Sequence, residues 1–393
     1  MINRFLKEII MKAGNQFPVV VLTGARQTGK TTLLKDCYPD HGYVSLDVPA
    51  LAAQAEEDPE LFFQSYRAPV IIDEVQYAPA LFRHLKAKVD QDRHGMGRWI
   101  LTGSQRFTLM KGVCESLAGR AAILELEGLS LGELNMNQQL PLNFLDRGFF
   151  PELYRLPEMD SNLFYSSYVA TYLERDVRQI LNIGSLRDFD RFIRLLATRN
   201  AQQLDKSALG SAVGVSTKTA SAWISILEAS GQISLLEPWF GNLGKRIVKT
   251  PKVYFNDTGL LVWLLGLSGQ KWKSSPFLGS LWETLVYAEL RKYLSLKGQS
   301  GQLFYYRDNQ GLEVDFLIPG QPFRAIEAKS STEIAPKHVE NLYRFARLVE
   351  KSPEPLLQKP ELICLSRSVV PGTLRQQDLP DVKLLGLSNL EFD

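Results

Sequence analysis

The sequence predicts an α/β chain: a parallel sheet covered by helices and built around a phosphate-binding loop, then a helical middle, then a second α/β segment. Three observations predict it. The apolar run VVVL, residues 19–22, feeds the glycine loop GARQTGKT and then an amphipathic stretch. A second apolar run, VIID, ends in two adjacent acids, Asp73 and Glu74. Short apolar runs alternate with helical periods across residues 19–126, as expected of strands joined by crossover helices.

At 393 residues the chain exceeds the size at which one core keeps growing, so two or three domains are expected. The formal net charge is +2, so a nucleic-acid surface would have to be a local patch. Three cysteines, Cys37, Cys114 and Cys364, lack the CxxC spacing of a zinc or redox site and suggest a reducing, cytoplasmic compartment. The N-terminus has helical spacing without the apolar core and cleavage site of a signal peptide. No apolar run reaches the roughly 18 residues that a membrane span needs.

The glycine loop has the order strand, Gly24-x4-Gly29-Lys30-Thr31, helix that a P-loop requires. Its glycines let successive N–H groups and the helix N-terminus face phosphate oxygens. The expected nucleotide contacts are Gly24, Ala25, Arg26, Gln27, Thr28, Gly29, Lys30, Thr31 and Thr32, with Lys30 on the β/γ-phosphates and Thr31 on magnesium. The run APVIIDEVQ suits a strand buried on both faces with its carboxyl end at a ligand crevice. Asp73 would hold the magnesium shell and Glu74 would orient the attacking water, or the pair is simply an acidic strand end. A third strand, RWILTGSQ, ends in the hydroxyls Thr102 and Ser104, and a helical stretch at 107–118 leads to Gly119, Arg120 and the strand AAILELEGL.

On these residues the first 128 positions resemble the AAA+ ATPases. The resemblance implies that Ser104, or Thr102, is the polar sensor and that Arg120 is the arginine finger acting on a neighbouring subunit, hence a homo-oligomer. Arg120 also reads as a helix C-terminal charge favoured by the macrodipole, and Arg26 and Arg106 compete for the finger's role. Residues 129–185 read as a helical lid, on which Arg175 and Arg178 face either the phosphates or solvent.

Within 186–270, two helical patterns flank Gly214 and Val215, Ser216 can cap the second, and an apolar strand pair follows, as in a winged helix-turn-helix. Thr217, Lys218, Thr219 and Ser221 would face a DNA groove. Lys245, Arg246, Lys249 and Lys252 would meet phosphates, with weak sequence preference, or form a solvated face.

From 271 to 393 the order is helix, three strands, helix, strand, with LEVDF on the second strand and IEAK on the third. Here the sequence resembles the restriction-endonuclease-like fold. Glu327 and Lys329 share a strand face, so Asp315, Glu327 and Glu283 would hold a second Mg²⁺ or Mn²⁺ while Lys329 supports the water. The same letters also fit a strand-end salt bridge.

Over nearly its full length the chain resembles bacterial and archaeal ATPases that join an N-terminal AAA domain to a C-terminal domain of unknown function. The resemblance rests on GARQTGKTT, VIIDEVQ, ILTGSQ, SLAGR, GFFPELY, NLGKRIVKTPKVYFNDTGL and EVDF with IEAKSS. The function expected is Mg-dependent ATP hydrolysis coupled to DNA through the winged helix, with DNA cleavage a further activity. The alternative is an ATP-driven protein switch or scaffold whose C-terminal domain is a non-catalytic binding module. No membrane partner is expected.

Overall fold

The computed structural model describes residues 2–104, 113, 115–134, 144–173, 186–240, 249–351, 359–368 and 370–387. The expected helix at 107–118, the basic pair Lys245 and Arg246, and Arg106, Arg175 and Arg178 lie largely or wholly outside the described residues. The chain divides into two compact units. One holds Met1–Leu129, Phe150–Arg155 and Ala229–Gly231; the other holds Ser130–Phe149, Leu156–Glu228 and Gln232–Asp393.

The first unit is built on five parallel strands, β1 (Val19–Thr23), β2 (Gly42–Ser45), β3 (Val70–Asp73), β4 (Trp99–Gly103) and β5 (Ala121–Glu125), in the order β2-β3-β4-β1-β5. The three central strands are buried throughout, which explains their unbroken apolar runs, whereas the edge strands β2 and β5 are partly exposed. Helices α1 (Leu6–Gly14), α2 (Lys30–Cys37), α3 (Pro49–Glu57), α4 (Pro59–Ser65) and α5 (Leu81–Gln91) accompany the sheet. Phe62, Phe63 and Leu85 from α4 and α5 close over Val70, Ile72 and Trp99. In register, Ser45 pairs with Asp73 and Thr23 with Gly103, so the acids, the hydroxyl strand and the glycine loop emerge at one end of the sheet.

In the second unit, α6 (Phe144–Arg147), α7 (Ser161–Tyr168) and α8 (Leu186–Thr198) precede a helix-turn-helix of α9 (Lys206–Val213) and α10 (Thr217–Ala229). Asp205 caps α9 through Ala208 N at 2.9 Å, and Ser216 Oγ accepts from Thr219 N at 3.1 Å to start α10. Gly214 ends α9 at φ 81°, the left-handed conformation a helix C-terminus favours. Strands β6 (Gln202–Gln203), β7 (Ile233–Leu236) and β8 (Lys252–Phe255) form a small antiparallel sheet with β8 in the middle.

After α11 (Thr258–Leu264), the 19-residue helix α12 (Leu278–Leu296) runs against a six-stranded sheet. That sheet comprises β9 (Phe304–Arg307), β10 (Glu313–Ile318), β11 (Arg324–Lys329), β12 (Glu361–Ser366), β13 (Gly372–Leu374) and β14 (Val382–Gly386), ordered β13-β14-β12-β11-β10-β9. Its first three strands are antiparallel, while β11, β12 and β14 run parallel. Helix α13 (Glu340–Glu350) covers the other face with Leu342, Phe345 and Ala346. The expected boundary at residue 270 falls inside this unit. Across that position, Tyr254 of β8 stacks on Tyr287 of α12 at 4.3 Å, and Trp239 N donates to Tyr305 O of β9 at 2.7 Å.

Candidate nucleotide site

The loop after β1 turns at Gly24, whose φ is +144° and where a Cβ would lie 2.2 Å from Leu126 O; no other residue type fits there. Gly29, at φ +91°, makes the second turn and opens α2. Lys30, the first residue of α2, is buried, and its ammonium donates to Gly24 O and Ala25 O at 2.9 Å each. Thr28 Oγ1 also donates to Ala25 O at 2.9 Å, so the loop is braced from inside. Arg4, a residue the sequence did not single out, clamps it from outside by donating to Thr28 O at 2.8 Å and Glu127 O at 2.6 Å. Such a long-range clamp has no local sequence signature. Arg26 points to Tyr77 OH at 3.1 Å, Gln27 is exposed at φ 62°, and Thr32 is exposed on α2.

Asp73 accepts from Thr31 Oγ1 at 2.7 Å, from Tyr43 OH at 2.9 Å and from Thr102 Oγ1. Burial, then the Asp73 carboxylate, push the Tyr43 phenol up to about 12, so it remains a donor. Glu74 follows with φ 55°, a left-handed conformation that costs a non-glycine residue about 1–3 kcal/mol and concentrates at functional sites. Its Oε2 accepts from Ser104 N at 3.1 Å, Ser104 Oγ at 2.9 Å and Gln76 Nε2. The sequence left Thr102 and Ser104 as alternatives; the structure gives each its own acid. Gln76 Oε1 is buried without a hydrogen-bond partner, an acceptor beside Glu74 that a water would satisfy. Arg120 lies elsewhere, at the amino end of β5, where its guanidinium grips Asp90 at 2.7 and 3.1 Å. It is no part of its own chain's loop.

The donor set fits a magnesium nucleotide. Thr31 and Asp73 offer hard oxygens of the kind magnesium takes while keeping most of its waters. Lys30 places its ammonium against the loop carbonyls of Gly24 and Ala25, a charge within the loop that suits phosphate.

The C-terminal residues are arranged differently from expectation. Lys329 Nζ lies 2.6 Å from Glu327 Oε2 and 3.9 Å from Asp315 Oδ2, and Asp315 accepts from Ala328 N at 2.9 Å. Burial, then Asp315, hold Glu327 well above the usual carboxyl range; for Asp315, burial pushes up but Lys252 and Lys329 outweigh it, leaving it low. Glu283 is engaged by other partners: its Oε1 accepts from Tyr254 OH at 2.6 Å and pairs with Lys252 Nζ at 3.1 Å. Lys252 also pairs with Glu313 at 2.6 Å and is buried, so it is not the phosphate-facing surface charge the sequence suggested. Among the described residues no group of three or more His, Cys, Asp or Glu side chains is arranged to hold a metal ion. The second divalent ion expected at Glu283, Asp315 and Glu327 therefore does not fit the residues as placed, because a lysine shares their space.

Of the presumed DNA-facing residues, Thr217, Lys218 and Lys249 are exposed, and Thr219 and Ser221 are half-buried. Two stretches that carried the resemblance form a structural latch. Buried Asp257 accepts from Phe149 N at 2.6 Å, Tyr165 OH at 2.8 Å and Leu260 N at 2.7 Å. Gly148 must be glycine there, since at φ 72° a Cβ would meet Tyr165 OH at 2.2 Å.

Residues 16–135 match the AAA domain family, residues 142–271 a domain of unknown function (DUF8612) and residues 278–378 another (DUF4143). The uncharacterized proteins Rv2008c of Mycobacterium tuberculosis and Mb2031c of Mycobacterium bovis are each 31% identical over 334 residues, covering 82% of this chain and 73% of theirs. A Walker-type ATPase of Pyrococcus abyssi is similar at a TM-score of 0.45 and 15% identity, over 67% of this chain and 96% of that one. Among the described residues no helix is long and apolar enough to cross a membrane. By the identity shared over most of both chains, this protein belongs to one family with the two mycobacterial proteins, and its first third is an AAA domain with an ATPase-like P-loop.

Proposed function

We propose that the first third binds ATP with magnesium and hydrolyses it, and that the rest of the chain couples this cycle to nucleic acid. One observation carries the reading: at the mouth of the glycine loop Thr102 serves Asp73 and Ser104 serves Glu74, so the two acids are held in separate, defined positions. Magnesium, when bound through Thr31 and Asp73, neutralises charge on the β/γ-phosphates. Lys30 exchanges the carbonyls of Gly24 and Ala25 for phosphate oxygens, and the backbone from Gly24 to Thr32 cradles the phosphates. Glu74 orients the water, with Ser104 as the polar sensor that holds its carboxylate. Arg120 supplies charge to the nucleotide of a neighbouring copy, which makes the working form a homo-oligomer.

The test is nucleotide binding and phosphate release by the full chain. Lys30→Ala should lose binding, and Glu74→Gln should keep ATP bound while turnover falls about a hundredfold, the usual scale for losing a group that handles the proton or water. Wild-type turnover by either variant would sink the assignment.

Nucleic-acid coupling is supported by the helix-turn-helix, where Thr217 and Lys218 at the start of α10 are exposed, as is Lys249 before β8. Binding to mixed-sequence DNA should weaken steeply with salt, and Lys218→Ala with Lys249→Ala should shallow that dependence. The order of α12, β9, β10, β11, α13 and β12 supports a restriction-endonuclease-like reading of the C-terminal sheet. A second reading, an ATP-driven switch whose C-terminal domain is a non-catalytic binding module, is favoured by the burial of Lys252 among that domain's carboxylates. Absence of DNA binding at low salt would select it.

A further inference from the structure

We infer that Lys252 is a built-in counter-ion of the C-terminal carboxylate cluster, a tethered ammonium that keeps the site closed to divalent cations. Its Nζ lies 3.1 Å from Glu283 and 2.6 Å from Glu313, with only 3% of the side chain exposed. An ammonium so far from water is stable only while its carboxylate partners remain, and those partners in turn need it. The lysine is not a passing surface group. It belongs to the central strand of its sheet, paired on both sides, and the neighbouring Tyr254 is fully buried against α12 and bonded to the same Glu283 oxygen.

On the other side of the cluster Lys329 sits 2.6 Å from Glu327 and 3.9 Å from Asp315, and Arg307 sits 2.6 Å from Glu313. Four carboxylates thus face two lysines and an arginine, so little negative charge is left over to draw in a metal ion. A divalent cation entering between Glu283 and Asp315 would meet both ammonium groups. The inference is independent of the ATP reading, because it concerns only residues of the second unit and is read without nucleotide.

The experiment is a Mn²⁺ titration of the nucleotide-free full chain, followed by electron paramagnetic resonance, for wild type, Asp315→Asn, Lys252→Met and the double variant Lys252→Met/Asp315→Asn. Wild type and Asp315→Asn should bind Mn²⁺ alike, showing no site that depends on Asp315. Lys252→Met, which keeps the apolar stem and removes the charge, should gain one Mn²⁺ site at least about tenfold tighter than anything the wild type has there. The double variant should lose it again. A wild-type Mn²⁺ site that disappears in Asp315→Asn would overturn the inference, as would a folded Lys252→Met that gains no site. If Lys252→Met does not fold, Lys252→Gln, which removes the charge and keeps a polar head, takes its place with the same outcomes, and an Asp315-dependent site in wild type overturns the inference in either case.

Discussion

Thr31 Oγ1 donates to Asp73 Oδ2 at 2.7 Å, joining the first turn of the helix after the glycine loop to the carboxyl end of a strand 42 positions further on. In the proposed site these two residues would hold the magnesium shell. Their direct bond brings the start of the helix after the loop and the end of the acid strand side by side.

Asp73→Asn tests this junction. The carboxylate accepts from three hydroxyls, and an amide can accept on one side only while turning an N–H₂ donor toward the rest. Phosphate release should be lost, and urea unfolding should show a loss of about 1–3 kcal/mol, the range for leaving buried polar groups mismatched.

The two loop glycines should differ. Gly24→Ala drives a Cβ to 2.2 Å from Leu126 O, whereas at Gly29 a Cβ meets nothing within 4 Å and only the left-handed φ resists it. Gly29→Ala should cost about 1 kcal/mol, and Gly24→Ala should cost clearly more and abolish nucleotide binding. Thermal melting of both variants, with and without ATP, checks the order; equal losses would remove the steric argument.

Asp257→Ala should be among the most damaging changes outside the nucleotide site. It strands the N–H groups of Phe149 and Leu260 and the hydroxyl of Tyr165 in a buried setting. A loss of about 3 kcal/mol or more is expected from several unsatisfied donors together, seen as a lower midpoint in urea. A midpoint unchanged from wild type would show that the latch contributes nothing.

Glu283 gives a pH dependence. Burial pushes its carboxyl from 4.5 up to about 7, against the pull of Lys252 and with the push of Asp315, while Tyr254 donates to it. Between those values the folded chain holds a proton that the unfolded chain has released, so this group's contribution to stability falls as pH rises through the window. Glu283→Gln removes the titration. The melting temperature of the variant minus that of wild type should therefore rise between pH 5 and pH 7, corresponding to about 1–3 kcal/mol. A difference that stays flat across that range would contradict the shift.

The sequence by itself determined the P-loop third of this protein. Glycine spacing, an unbroken apolar run and adjacent acids are local patterns whose physics is local: backbone freedom at Gly24 and Gly29, and burial on both faces for β1, β3 and β4. It also placed the strands that carry Asp315, Glu327 and Lys329, because the short apolar runs that mark buried strands are written in consecutive residues. Only the tertiary structure decided which hydroxyl serves which acid, that Arg4 clamps the loop, and that Lys252 belongs to the carboxylates of Glu283 and Glu313. A lysine in a basic stretch reads as surface charge. Its partners here stand 31 and 61 positions away, and an electrostatic pairing made across such separations leaves no pattern in the neighbouring letters.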